Sequence, residues 1–358
     1  MGPEGELRIS LRIAAGRIAH CQIASTRPDV AARLLEGRST AEIAAAVPRL
    51  YAICAVSQGQ ACALALQAAS GSVPDAAGIE RARKAVAAET LGETARRVLL
   101  DWPRLHGEQP DGAAIAAARS TLGPAPPPEA LALAVWGEAA TDWLARDTPV
   151  ALQLWADAGA TATARVIARL AAQPLEAGEL AADETALLPS PPSPQMLAAL
   201  AAATLADASF AQRPLHAGRP AETGALARRR DDALVAALLP RSRALARHVA
   251  RLRELALLLT GRPALAVGAM ALPEGTGLGW VENARGLLIH LARLQAGRAR
   301  PYRIVAPTEW NFHPAGALAA ALTGYTAGDA AALQNRVQQL VASLDPCVAC
   351  HIEINPHA

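Results

Sequence analysis

Apolar and polar residues alternate from Glu6 to Ile13 and again from Arg17 to Ser25, with Gly16 between the runs, so the chain is expected to open with a β-hairpin. Past Pro28 and Asp29 the spacing lengthens to a helical one. DVAARLLEG reads as a short helix closed by Gly37, and Ser39, Thr40 and Glu42 carry the start signal of the next. Residues 52–69 are small or apolar on most faces, which predicts a helix in the middle of the protein with Cys54 in its first turns. Residues 77–101 place Arg and Glu on one side and Ile79, Val86, Leu91, Val98 and Leu99 on another. That is an amphipathic bundle helix, expected to end before Asp101-Trp102-Pro103. Further helical patterns cover 129–145, 150–172, 195–206 and 221–259, separated by the stiff runs PAPPP at 124–128 and PSPPSP at 189–194. The basic run in the last of these, RRRDD and the arginines after it, reads as a solvated helix face, and Trp102, Trp136, Trp143 and Trp155 read as core anchors.

After Gly261 the pattern changes again. Residues 263–272 predict a strand, GTGLGWVENARG a Gly-rich turn region, and 287–294 with 302–306 a strand pair joined through Gly297. APTEWNFHPAG reads as a loop, and a helix over 329–343 delivers the terminal DPCVAC. The sum is an α+β chain, predominantly α. We read one domain over 1–358, with a hairpin and first Cys motif in 1–70, a helical bundle in 71–260 and a small β region in 261–358.

Composition narrows the function. A hydrophobic content of 52% supplies a large core, and aromatic residues make up only 3%, which favours helix for most of the length. The 34 Lys plus Arg against 32 Asp plus Glu leave no broad basic surface, so nucleic acid and anionic lipid are not expected as partners. Five cysteines are odd in number and sparse, unlike a secreted disulfide framework, and point to the cytoplasm. The N-terminus has no apolar signal core, and no uninterrupted apolar run reaches bilayer length, so membrane insertion is not expected.

The chemistry concentrates at the end of the chain. Cys347 and Cys350 are spaced so that two soft thiolates converge on one metal ion, with Pro346 stiffening the approach. A redox CxxC is disfavoured because no helix follows the pair, and a zinc site would need His351 or a distant Cys. On spacing alone, zinc and a plain reduced thiol pair both stay open. GTGLG lacks the Lys-Ser/Thr and the strand-to-helix context of a phosphate loop.

Six motifs, EGELRI, LLEGR, RLYAIC, GWVENARGLLIH, YRIVAPTEWN and DPCVAC, occur in an order that resembles the large subunit of nickel-iron hydrogenases. The resemblance covers the first seventy residues and the last hundred; the middle is much shorter and matches helix for helix only. It implies a truncated large-subunit-like fold. In that family four cysteines hold the metals. The resemblance puts Cys54 and Cys350 at the two positions that bridge nickel to an iron carrying cyanide and carbon monoxide, and Cys347 at one nickel-terminal position. The other nickel-terminal position is Tyr51, too weakly acidic and too hard to replace a thiolate. Arg285, Pro307 and Thr308 match the residues that hold the cyanides, a guanidinium fork on one and a hydroxyl and backbone N–H on the other.

Other departures point the same way. Gln58 stands where the family has His, Glu353 where it has the closing His, and Ala32 where it has a carboxylate near magnesium, so the resemblance argues against both nickel and magnesium. Glu4 matches the family's proton-relay glutamate; from the residues alone it is a solvated acid beside a hairpin. What this implies resembles the accessory proteins that are truncated relatives of the large subunit. The expectation is therefore a non-enzymatic maturation scaffold that transiently holds an iron with cyanide and carbon monoxide, with a hydrogenase large-subunit precursor and other maturation proteins as partners. Two alternatives stay open: a divergent catalytic large subunit in which Tyr51 or Cys62 serves as ligand, and a metal-free docking protein. Cys62, about two helical turns past Cys54, reads first as a buried structural thiol.

Overall fold

In the computed structural model of the chain, which describes residues 5–26, 34–110, 112–121, 128–173, 185–262 and 265–355, the two ends of the polypeptide meet in one sheet. The alternating runs form β1 (Glu6–Ala14) and β2 (Arg17–Ser25), antiparallel, turning through Ala15 and Gly16 at positive φ. Two short strands, β3 (Ala186–Leu187) and β4 (Ala221–Glu222), pair in parallel, and β5 (Val267–Leu272), β6 (Thr276–Asn283), β7 (Gly286–Gln295) and β8 (Arg298–Val305) form an antiparallel sheet in sequence order. The last strand, β9 (Ala349–Asn355), lies parallel to β1 with Cys350 opposite Leu7, giving the order β2-β1-β9. Sequence reading did not assign β9, although the alternation in CHIEIN is its signal. Leu7, Ile9, Leu11 and Ile18 bury themselves under this sheet against Val337, Leu340, Val341 and Cys347, so the hairpin fixes where the terminal thiols sit.

Ser39 caps the Thr40–Leu50 helix in a reciprocal box with Glu42, as its spacing predicts. Cys54 differs in detail: it closes a one-turn 3-10 helix, Ala52–Cys54, that leads into the Ala55–Ala69 helix. By length and composition the stretch Ala52–Ala69 could cross a membrane, but it packs inside the protein against β6 and β7. The glycines read as a turn in GTGLGWVENARG belong to the interior of β6. A Cβ at Gly277 would overlap the backbone of Ala65 and Ala69, and one at Gly279 that of Ala61 and Ala65, so helix and strand touch backbone to backbone. Gly277→Ala or Gly279→Ala is expected to lower stability by about 2–3 kcal/mol in urea melts; an unchanged midpoint would show that the contact yields.

Three further expectations change. The helix Ala76–Arg96 does not stop before Trp102 but widens into a π-helical turn, Arg97–Asp101, and continues as Trp102–Leu105. The wider turn moves the carbonyl that Pro103 would otherwise strike. The stretch 221–259 is four pieces, interrupted at Gly224, which takes φ 111°, and at the caps Asp232 and Ser242. Its basic run is a solvated face at Arg230 and Asp231, which are exposed, but the Arg228 side chain and Arg243, Arg247, Arg251 and Arg253 are buried, most of them paired with Glu222, Asp232 or Glu254. Finally, Pro307–Asn311 inside the predicted loop is a short helix started by its proline. The four tryptophans are buried as expected. Residues 27–33 of the short predicted helix and most of PAPPP lie outside the described residues.

Candidate functional site

The Ala76–Arg96 helix and its π-turn connect the separate parts of the site. Residues 89, 93 and 97 lie four apart, a single stripe along one face. Glu89 accepts hydrogen bonds from the N–H groups of Val56 (2.7 Å) and Ser57 (2.9 Å) and from the Ser57 hydroxyl, satisfying the free donors at the helix start just after Cys54. Burial raises the Glu89 pKa against these bonds. One turn on, Glu93 accepts from Arg285 Nη2 at 3.0 Å. One turn further, Arg97 Nε meets Asp345 Oδ1 at 3.0 Å and its Nη2 donates to the Pro346 carbonyl at 3.0 Å. The loop of Cys54, the cation Arg285 and the turn before Cys347 are thus tied to one rigid element.

Arg285 is fixed at its backbone as well. Its N–H and that of Gly286 donate to Asn283 Oδ1, and its carbonyl accepts from Asn311 Nδ2 at 3.2 Å. Gly286 at φ 135° packs on the Thr223–Gly224 turn, and a Cβ on Gly224 would come within 2.9 Å of the Arg285 carbonyl. The guanidinium is buried at 3% side-chain exposure, and its Nε has no hydrogen-bond partner among the described residues, with Asp345 Oδ2 at 3.8 Å. Burial works against its charge, but Asp345, Cys347, Cys54 and Glu93 outweigh that and hold its pKa well above the ordinary value. Cys54 and Cys347, far apart in sequence, are thus both among the groups that favour the charge of this one guanidinium.

Asp345, at φ 53°, makes the turn into Pro346 and Cys347. Burial would raise its pKa, yet Arg285, Arg97 and Arg251 pull it below the usual carboxylate range. Cys347 is buried, and its sulfur lies 3.1 Å from Thr308 Oγ1 in the first turn after Pro307. Cys350 is half-buried on β9; burial and then Cys347 push its pKa up to about 12, with Arg97 opposing. Among the described residues no group of three or more His, Cys, Asp or Glu side chains is gathered tightly enough to hold a metal ion. Cys347 links the two other thiols: it raises the Cys350 pKa, and with Cys54 it favours the charge of Arg285.

Other candidates fall apart from this centre. Glu4 and Ala32 lie outside the described residues. Glu353 is exposed on β9, and His351 is exposed with Nε2 at 3.6 Å from Glu6 Oε2. Cys62 is fully buried beside the Tyr302 hydroxyl, with its pKa pushed up to about 11 by burial. It ends a buried chain: Tyr302 OH meets His290 Nδ1 at 2.6 Å, and His290 Nε2 donates to Gln58 Oε1 at 2.8 Å. Gln58 and His290 thereby lock the Cys54 helix onto β7. Sequence reading missed Glu89, Glu93, Arg97, Asp345 and His290; the first three recur at i, i+4 and i+8, but on an amphipathic helix that spacing does not tell a site from a solvated face.

The nickel-dependent hydrogenase family matches residues 244–353, which include Arg285, Pro307, Thr308, Cys347 and Cys350. A protein of Cupriavidus necator named hydrogenase expression/formation protein HoxV is 35% identical over 92% of this chain and 92% of its own. The hydrogenase expression/formation protein HupK of Rhizobium leguminosarum bv. viciae is 31% identical over 98% of this chain and 97% of its own. Among solved structures, the Ni-Fe-Se hydrogenase of D. vulgaris Hildenborough in the reduced state superposes with a TM-score of 0.58 at 17% identity, covering 94% of each chain. That likeness is one of fold.

Proposed function

Since this chain belongs to the hydrogenase expression/formation proteins, built on the nickel-iron hydrogenase large-subunit fold, we propose that it is a maturation scaffold that holds an iron carrying cyanide and carbon monoxide as cargo for a hydrogenase large-subunit precursor. One observation carries the reading: the Cys347 sulfur lies 3.1 Å from Thr308 Oγ1, on a turn whose Asp345 Oδ2 is 3.8 Å from the buried Arg285 Nε. Soft thiolates suit iron, and an arginine Nε without a hydrogen-bond partner suits an anionic ligand such as cyanide. Thr308, bonded to Cys347, adds a hydroxyl at the same wall. Cys54, Cys347 and Cys350 are the ligands in this reading, with Arg285, Thr308 and Pro307 as the cyanide-facing group.

Nickel does not fit the donor set. Tyr51 is buried near Tyr302, a phenol where a second terminal thiolate would be needed. A three-thiol site that never closes around two metals suits a protein that must give its cargo away. With all five cysteines free, the reading places the work in a reducing compartment, the cytoplasm, beside the other maturation proteins.

Infrared spectra of protein purified anaerobically from cells that make the cyanide-bearing iron test it. Cyanide and carbonyl bands with iron and no nickel are expected. Stoichiometric nickel with hydrogen-dependent dye reduction would instead make the chain a catalytic subunit. Protein free of iron and of both bands would make it a metal-free docking protein, the reading favoured by the lack of a closed metal cluster among the described residues.

A further inference from the structure

β9 is the outer strand of its sheet. Among the described residues it pairs with β1 alone, and every residue from Ala349 to Asn355 is exposed or half-buried. Its second edge therefore offers the backbone donors and acceptors of alternate residues along a seven-residue strand, with no proline or lysine to discourage pairing. The strand is two-faced. Ala349, His351, Glu353 and Asn355 are exposed, whereas Cys350, Ile352 and Ile354 are half-buried and pack against the apolar core below.

We propose that this edge docks a second copy of the chain, β9 against β9, antiparallel about a twofold axis at Ile352. In that register His351 faces Glu353 of the second copy, and Glu353 faces its His351. On the other face Ile352 meets Ile352, and Cys350 meets Ile354. Sliding the register by one pair sets His351 on His351 or Glu353 on Glu353, and half-steps set apolar residues against polar ones. The register centred on Ile352 is therefore the one that satisfies both faces over all seven residues of ACHIEIN.

The neighbouring strand extends the match. Arg8 lies beside His351 and Ser10 beside Glu353 on β1, so each row across the joined sheet runs from Arg8 through His351 to Glu353 and Ser10 of the second copy. The result is a six-stranded sheet with the order β2-β1-β9-β9-β1-β2. Pairing uses Cys350 only as an apolar neighbour of Ile354, so it holds whether or not that thiol carries a metal. A single seven-residue edge buries little area, which makes the dimer reversible rather than obligate.

Sedimentation equilibrium of the full chain, from low to high micromolar, tests this. A monomer–dimer equilibrium is expected. Glu353→Lys, which removes the carboxylate that faces His351 and sets a lysine there, should weaken it about three- to tenfold, and His351→Glu should do the same by setting two anions on each other. The double variant H351E/E353K restores opposite charges and should recover the wild-type constant. Both side-chain changes lie at exposed positions, and circular dichroism checks that each variant is folded. A chain that stays monomeric throughout overturns the proposal, as does a dimer that the single variants leave unchanged or the double variant fails to rescue.

Discussion

Cys54→Ala and Cys347→Ala proteins are each expected to lose iron and both classes of infrared band, while Cys62→Ala protein keeps them. The expectation follows from position. Cys54 and Cys347 are the two thiols that favour the charge of the Arg285 guanidinium, whereas Cys62 is sealed beside Tyr302. Removing either of the first two leaves at most two sulfur donors, too few soft ligands to hold the iron in the reading above. Thr308→Val makes a finer comparison. It removes the hydroxyl that touches Cys347 and should keep the iron while shifting a cyanide band. All three alanine variants should fold, because a sulfur-to-hydrogen change in these sites costs about 1 kcal/mol. Retention of iron by the Cys54 variant would detach the N-terminal motif from the cargo and leave the terminal pair to act alone.

How much of this was legible in the sequence differs from one residue to the next. The Cys347–Cys350 pair is visible as two soft donors, but Arg285, Pro307 and Thr308 stand out only through the resemblance of GWVENARG and APTEWN to the hydrogenase motifs. Glu89 and Glu93 do not. A carboxylate on a helix with arginines around it looks like any solvated face, and only the fold shows that this face is turned toward Cys54 and Arg285. The same ambiguity hid the buried arginines after residue 242, whose partners sit on β4 and on the segment before them. The glycines of β6 misled in the opposite sense. Their pattern is that of a turn, yet their purpose is to admit the backbone of the helix that carries Cys54, a contact with no local signature. β9 needed only its alternation to be read, but a strand that pairs in parallel with the far end of the chain has no hairpin beside it to reveal the partner.

The second large effect is expected at Glu222, which holds the frame rather than the cargo. Its carboxylate accepts from Arg243 Nε at 2.9 Å and from Arg247 Nε and Nη2 at 2.8 Å, all of it buried. Arg247 also reaches Ser343 at the end of the helix that delivers Asp345 and Cys347, and Glu222 precedes the Thr223–Gly224 turn on which Arg285 rests. Glu222→Ala would take the shared carboxylate away from the buried guanidinium groups of Arg243 and Arg247, a loss of about 3–5 kcal/mol. Burial alone would raise the Glu222 pKa, but Arg247 and then Arg243 outweigh it and lower it from 4.5 to about 2. A carboxylate depressed in the folded state contributes stability that is complete above its unfolded pKa and lost as pH falls through the folded one. On the order of 3 kcal/mol should therefore disappear between about pH 5 and pH 2. Urea melts of wild type and Glu222→Gln across that window separate this group from the other carboxylates. The variant should start less stable at neutral pH and decline less steeply with acid; parallel curves would assign the acid sensitivity elsewhere, with Asp345 between Arg285 and Arg97 the next group to examine.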